Sequence, residues 1–210
     1  MRFPWQNDRE GPPLDSAEEE GVTTWAVDAQ GRIDSVGGLW VSFAHANQGE
    51  DTLPPGILGR SILDFISPAG AREMVQYLIE TVHRVGTPLR VPYRCDSPGE
   101  LRRFELTIHP RPDGGTKFES RIQDVVIRDR PLEILDAAAE RSDERLILCA
   151  WCKAVEDPEK SGKWDSLDAA IRQLNLLDPP FPQLSHGLCP SCHDALMAQT
   201  PDAPSLEAQP

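Results

Sequence analysis

Four of the five cysteines fall into two C-x-x-C pairs, Cys149 and Cys152 in the stretch CAWC and Cys189 and Cys192 in CPSC. Two close thiol pairs brought together in space form the tetrahedral thiolate set that a structural zinc ion prefers. One such pair alone also reads as a redox dithiol, so the argument rests on having two in one C-terminal segment. The 36 residues between Cys152 and Cys189 exceed the gap of the commonest zinc-finger patterns, and the intervening chain must fold as an insertion. On the residues alone three readings stay open: a structural metal site, a redox-active thiol set, or cysteines packed independently in a core. His186, just before the second pair, is an alternative ligand. Four thiols already fill four positions, however, so it is expected beside the sulfurs, hydrogen-bonding one or capping a turn. His193 is expected at the surface.

Charge is distributed unevenly over the 210 residues, whose net charge is −13. Residues 22–130 carry 14 acidic and 13 basic side chains, residues 131–210 carry 14 and 6, and residues 1–21 carry 6 and 2. The cysteine segment is thus acidic, whereas a nucleic-acid binder needs a basic stripe to neutralise phosphates. No stretch approaches the roughly 20 apolar residues of a membrane span. No charged-then-apolar leader opens the sequence, and with paired C-x-x-C motifs the cytoplasm is the expected compartment. Residues 1–21, rich in Pro, Gly and Glu, and residues 199–210 read as disordered ends.

Between them the sequence alternates and then turns helical. Strands are expected around Trp25 and Val27 and from Arg32 to Val36, joined by a turn at Asp28–Gly31. Residues 39–47 and 57–66 read as short helical pieces. From Ala69 to Val85 the positions Met74, Val75, Leu78, Ile79 and Val82 recur at helical spacing, and Gly86 and Pro88 stop the run. Three strands follow, carrying Leu89, Val91 and Tyr93, then Phe104, Leu106 and Ile108, then Phe118, Ser120 and Ile122, with a hairpin turn at Pro112–Gly115.

The stretches VDAQGRI and GRSILDFI, with the helix-then-three-strands run, make residues 22–128 resemble a PAS domain. The resemblance implies an α+β fold, a five-stranded antiparallel sheet with helices on one face, and a sensory or dimerising role. PAS domains hold haem, flavin or a small metabolite in some cases. No flavin-photoadduct motif is present, and Cys95 reads as a packed or rim residue. His83 on the long helix is a candidate haem ligand, with His45 behind it. Arg94, Arg102 and Arg103 are candidates for an anionic ligand. No tightly bound PAS ligand is expected, and its identity is unknown.

Residues 129–145 are charged and alanine-rich, with Leu132, Leu135 and Ala139 on one face, and read as a connecting helix or linker. A further helix is expected after Trp164, capped by Asp165 and ended by Pro179 and Pro180, and a last one from Pro190 to Met197. The residues Cys149, Trp151, Cys152, Lys153, Trp164, Ser185, His186, Gly187, Cys189, Pro190 and Cys192 make 146–198 resemble a C-x-W-C-K…S-H-G-x-C-P-x-C module of bacterial signalling proteins. The expected architecture there is a small zinc-stabilised helical module, with Trp151 and Trp164 in its core.

No Ser-His-Asp set, phosphate-binding glycine loop, paired carboxylates or open three-ligand metal site stands out, so no catalytic role is expected. The leading reading is a cytoplasmic regulator, a PAS homodimer coupled to a zinc module that engages an unidentified protein partner. The alternatives are a thiol sensor that releases zinc on oxidation, and a haem- or small-ligand-binding PAS sensor.

Overall fold

The protein is seen here as a computed structural model that describes residues 21–47, 49–66 and 69–199. Apart from Gly21 and Gln199, the ends expected to be disordered lie outside the described residues. Strand β1 (Val22–Val27) turns at Asp28–Gly31 into β2 (Ile33–Gly38). Asp28 fixes that turn, its carboxylate accepting from the backbone N–H groups of Gln30 and Arg32, both at 2.9 Å. Gly31 takes the positive φ, 73°, that a side chain would resist. Helix α1 (Trp40–Ala46) and a 3-10 turn at Ile62–Phe65 lead to α2 (Ala69–Val85). The α2 boundaries are those the hydrophobic period predicts. Met74, Leu78 and Val82 recur every four residues and are buried.

Strands β3 (Leu89–Arg94), β4 (Glu100–Pro110) and β5 (Thr116–Ile127) complete a five-stranded sheet. It is antiparallel throughout, in the order β2-β1-β5-β4-β3. Val27, Ile33, Leu89, Val91, Ile108 and Phe118 from the sheet share one core with Met74, Leu78 and Val82 of α2.

The second half departs from its expected form. Residues 129–145 are no helix. They make a 3-10 turn at Glu133–Leu135 and then enter strand β6 (Arg141–Cys149). Leu146 and Leu148 alternate inward while Asp143 and Glu144 stay exposed. That period of two outweighs the helix propensity of the alanines upstream. Two short strands, β7 (Val155–Glu156) and β8 (Trp164–Asp165), helix α3 (Leu167–Gln173), strand β9 (Phe181–Gly187) and helix α4 (Pro190–Met197) follow. The segment is thus built on a four-stranded sheet, β8-β7-β6-β9, with β9 parallel to β6, rather than on helices. Ser166, not Asp165, caps α3, accepting from Ala169 N at 3.3 Å while Asp165 is spent in β8. Helix α3 ends at Gln173, before the prolines, where Asn175 turns the chain at φ 52°.

The two sheets are not independent. Leu196 of α4, 2% exposed, belongs to the core beneath the first sheet, and Trp151, Leu188 and Met197 pack against that core. No helix among the described residues is long and apolar enough to cross a membrane.

Candidate metal centre

Cys149 ends β6, and the chain reverses at once. Cys149 N donates to Ala154 O at 2.6 Å and Lys153 N to Cys149 O at 3.0 Å. The reversal puts Lys153 at φ 62°, a conformation usually left to glycine. Its ammonium turns back to donate to Ala150 O at 3.0 Å. Cys152 is thereby returned to the side of Cys149.

The second pair arrives on the parallel strand. Gly187 lies opposite Cys149 in the β6–β9 ladder, and Ala150 N donates to Gly187 O at 2.9 Å. A Cβ at Gly187 would sit 3.1 Å from Ile147 Cγ2, so any larger residue would need that isoleucine to give way by a few tenths of an ångström. Cys189 then caps α4 and Pro190 opens it, which lifts Cys192 back into the first turn.

All four sulfurs lie within 4.8 Å of one another, and all four cysteines are buried. Cys152 Sγ and Cys189 Sγ are 3.7 Å apart, and Cys189 N–H points at Cys149 Sγ at 3.5 Å. That separation far exceeds a disulfide bond of about 2.05 Å, and the cysteines are free. A tetrahedron with metal–sulfur bonds of about 2.3 Å has edges of about 3.8 Å, so the spacing fits a metal ion held by four thiolates.

The electrostatics favour the same use. The thiols of Cys152, Cys189 and Cys192, gathered around the Cys149 sulfur, hold that thiol far below the ordinary range. Cys192, which faces Cys149, Cys152 and Cys189, is pushed far above it. Thiols this close cannot all ionise without a cation among them.

His186 stands on β9 opposite Leu148, half-buried and outside the sulfur cluster. Burial, and then the nearby Lys153, hold its pKa below the usual imidazole value. His193 is 41% exposed, its Nδ1 lying 3.2 Å from Asp194. Trp151, Trp164, Ala154 and Leu188 pack around the thiols.

The other candidate residues are placed elsewhere. His83 shares a hydrogen bond of 3.0 Å with Thr116, and His45 is exposed at the end of α1. Arg102 donates to Cys95 O at 2.6 Å and to Asn47 at 3.1 Å, and Arg103 pairs with Asp124. Arg94, the third candidate for an anionic ligand, is buried. Its backbone N–H donates to Trp151 O at 2.7 Å and its guanidinium to Cys152 O at 3.2 Å, which ties the first sheet to the thiol loop. Asp96 pairs with both Arg94 and Arg128. Sequence reasoning passed over Asp96, because nothing local distinguishes it from the aspartates at the surface.

Sequence reasoning also missed the dimensions of a cavity of about 410 Å³ between the first sheet and its helices. Its walls include Trp25, Trp40, Val75, Leu78, Tyr93 and Phe118. Neither His83 nor Arg94 lines it, and no charged side chain does among the described residues. Tyr93 Oη and Ser120 Oγ share a 2.6 Å hydrogen bond at its wall. Burial raises the Tyr93 pKa to about 12 against the lowering pull of that bond. The Trp25 indole nitrogen is buried without a hydrogen-bond partner.

No protein-family model matches the chain, and no curated protein does. Among solved structures it is similar to a domain of an HTR-like protein from Haloarcula marismortui, at 16% identity, over 49% of this chain and 98% of that one. The TM-score is 0.35, too low for the likeness to bear on fold or function.

Proposed function

We propose that the chain is a non-catalytic signalling protein in which a PAS-type module is joined to a module held together by one structural zinc ion. The observation that carries this reading is the buried set of four mutually adjacent sulfurs on two different strand ends. Zinc suits four thiolates, has no geometric preference beyond the tetrahedron they supply, and contributes folding free energy where little core exists. With four protein ligands the site is closed, leaving no open position for a substrate, as expected of a structural rather than a catalytic metal. Burial of all four cluster cysteines keeps oxidants away, which favours the structural role over a redox-released one.

The PAS reading rests on the sheet order, the antiparallel pairing and a cavity between sheet and helices. A homodimer through this module, acting on a protein partner in the cytoplasm, completes the proposal. No resident haem or flavin belongs to the proposal, since the sequence carries no flavin-photoadduct motif and His83, the haem-ligand candidate, bonds Thr116 and does not line the cavity.

Native mass spectrometry of the full chain tests the metal directly. One zinc per chain is expected, retained in His186→Ala and lost in Cys189→Ser. Zinc lost from His186→Ala but kept in Cys149→Ser would overturn the ligand set. An absorption spectrum of the same sample should show no haem or flavin band.

A further inference from the structure

The cavity and the thiol cluster are linked through the elements that lie between them. Helix α2 presents Val75 and Leu78 to the cavity, while Tyr77 between them donates its phenol to Met197 Sδ of α4 at 3.6 Å. Helix α4 begins at two of the four cysteines. Leu196 stands one helical turn beyond Cys192 and is buried in the core that backs the cavity. On the other flank, Tyr93 of β3 lines the cavity, and the next residue, Arg94, bonds both Trp151 O and Cys152 O. Trp151 and Leu188, which adjoin the cysteines in sequence, pack against the thiols and against that core together. Packed interiors transmit displacement rather than absorb it. Any change that spreads the four sulfurs must therefore move α4 off α2 and the Trp151 loop off β3.

We propose that metal binding at Cys149, Cys152, Cys189 and Cys192 is energetically coupled to occupation of this cavity by an uncharged, largely apolar ligand. The inference rests on the metal reading above and adds what the metal controls. The lining defines the ligand class. Aromatic and aliphatic side chains dominate, a charged group would find no countercharge, and the Tyr93–Ser120 hydroxyl pair can serve one hydrogen-bonding group. With the metal bound, α4 and the Trp151 loop brace both walls, and the cavity is preorganised. Without it, ligand binding must also order those walls, and affinity falls. Reciprocity then requires the ligand to raise metal affinity by the same factor.

The test uses the full chain and N-phenyl-1-naphthylamine, an uncharged aromatic fluorophore, excited by energy transfer from Trp25 and Trp40. Zinc content is measured first, and a chain that takes up no zinc ends the metal reading itself. For a zinc-loaded chain, the probe is expected to bind at least about fivefold more tightly than to the chelator-stripped chain, the lower end of typical coupling. Should the stripped chain unfold, the reverse arm decides on loaded protein alone. Saturating probe should then shift the equilibrium of zinc transfer to a competing chelator by the same factor. Leu188→Ala keeps all four cysteines and the cavity lining, and should reduce the coupling while zinc stays at one per chain. Ala44→Phe, which fills the cavity, should abolish probe binding. Failure of the probe to bind, or binding unchanged by Ala44→Phe, overturns the ligand class. Equal probe affinity with and without zinc in a folded chain, or zinc affinity indifferent to the probe, overturns the coupling and leaves the zinc site standing.

Discussion

Asp96 holds two guanidinium groups at once, those of Arg94 and Arg128, with its own side chain 1% exposed and each of theirs 10%. Breaking such a buried set leaves charge without a partner, which costs roughly 3–5 kcal/mol. Asp96→Asn should therefore lower the denaturation midpoint strongly. Arg103→Ala breaks a far more exposed pair with Asp124 and should cost about 1 kcal/mol or less. Equal effects of the two in urea titration would contradict the role given to Asp96. Tyr93 supplies a second test at this scale. Its phenol is pushed up to about 12 in the fold from about 10 for a free tyrosine, burial being the main cause. Below pH 10 the group is neutral in folded and unfolded chains alike, and its contribution is constant. Above that the unfolded chain gives up a proton that the folded chain keeps. Stability then falls with rising pH by about 1.4 kcal/mol per unit until the folded pKa is passed. Ultraviolet titration of the folded protein, which has two tyrosines, should show one midpoint near 12 that disappears in Tyr93→Phe. Loss of that late midpoint in the wild-type chain would contradict the buried assignment.

Elements differ in how far their sequence announces them. Helix α2 was legible to the residue, because its apolar period is long and Gly86 stops it at φ 72°. The α4 boundaries were legible for a similar reason, with Pro190 fixing the first turn. The four metal-ligand candidates were legible because C-x-x-C spacing is set by the local knuckle, whatever the rest of the chain does. Residues 129–145 misled, since their alanines favour a helix locally while Leu146 and Leu148 are claimed by pairing with β7 and β9. Strand pairing across more than thirty residues leaves no mark within a short window. The α3 cap was misplaced by one residue, a choice between Asp165 and Ser166 that only the β8 pairing decides. Ser166→Ala should accordingly cost about 1 kcal/mol. Asp165→Ala should leave the α3 cap in place, and thermal melts that rank the two the other way would restore Asp165 as the cap.

For the molecule as a whole, the sequence suggests two units joined by a linker, whereas the packing sets Leu196 of the second half into the core of the first, beside a separate core around Leu148, Ile171 and Phe181. Leu196 lies near the end of α4 and yet is buried beneath the first sheet with Leu78, Val82 and Phe118. The Arg94 bonds to the thiol loop add a polar tie on the other flank. Small domains that share a core unfold together, whereas domains joined by a linker melt separately. Heating the zinc-loaded chain should therefore give one transition in which near-ultraviolet aromatic signals and release of zinc to a chelating dye coincide. Leu196→Ala removes a fully buried leucine and should cost about 2–5 kcal/mol. The decisive part is where that cost is felt. The substitution touches no cysteine, so if the core is common it lowers both probes' midpoints together. If Leu196→Ala shifted zinc release while the aromatic signal of Trp25 and Phe118 kept its wild-type midpoint, the two halves would be separate folding units. The coupling inferred between metal and cavity would then lose its structural route.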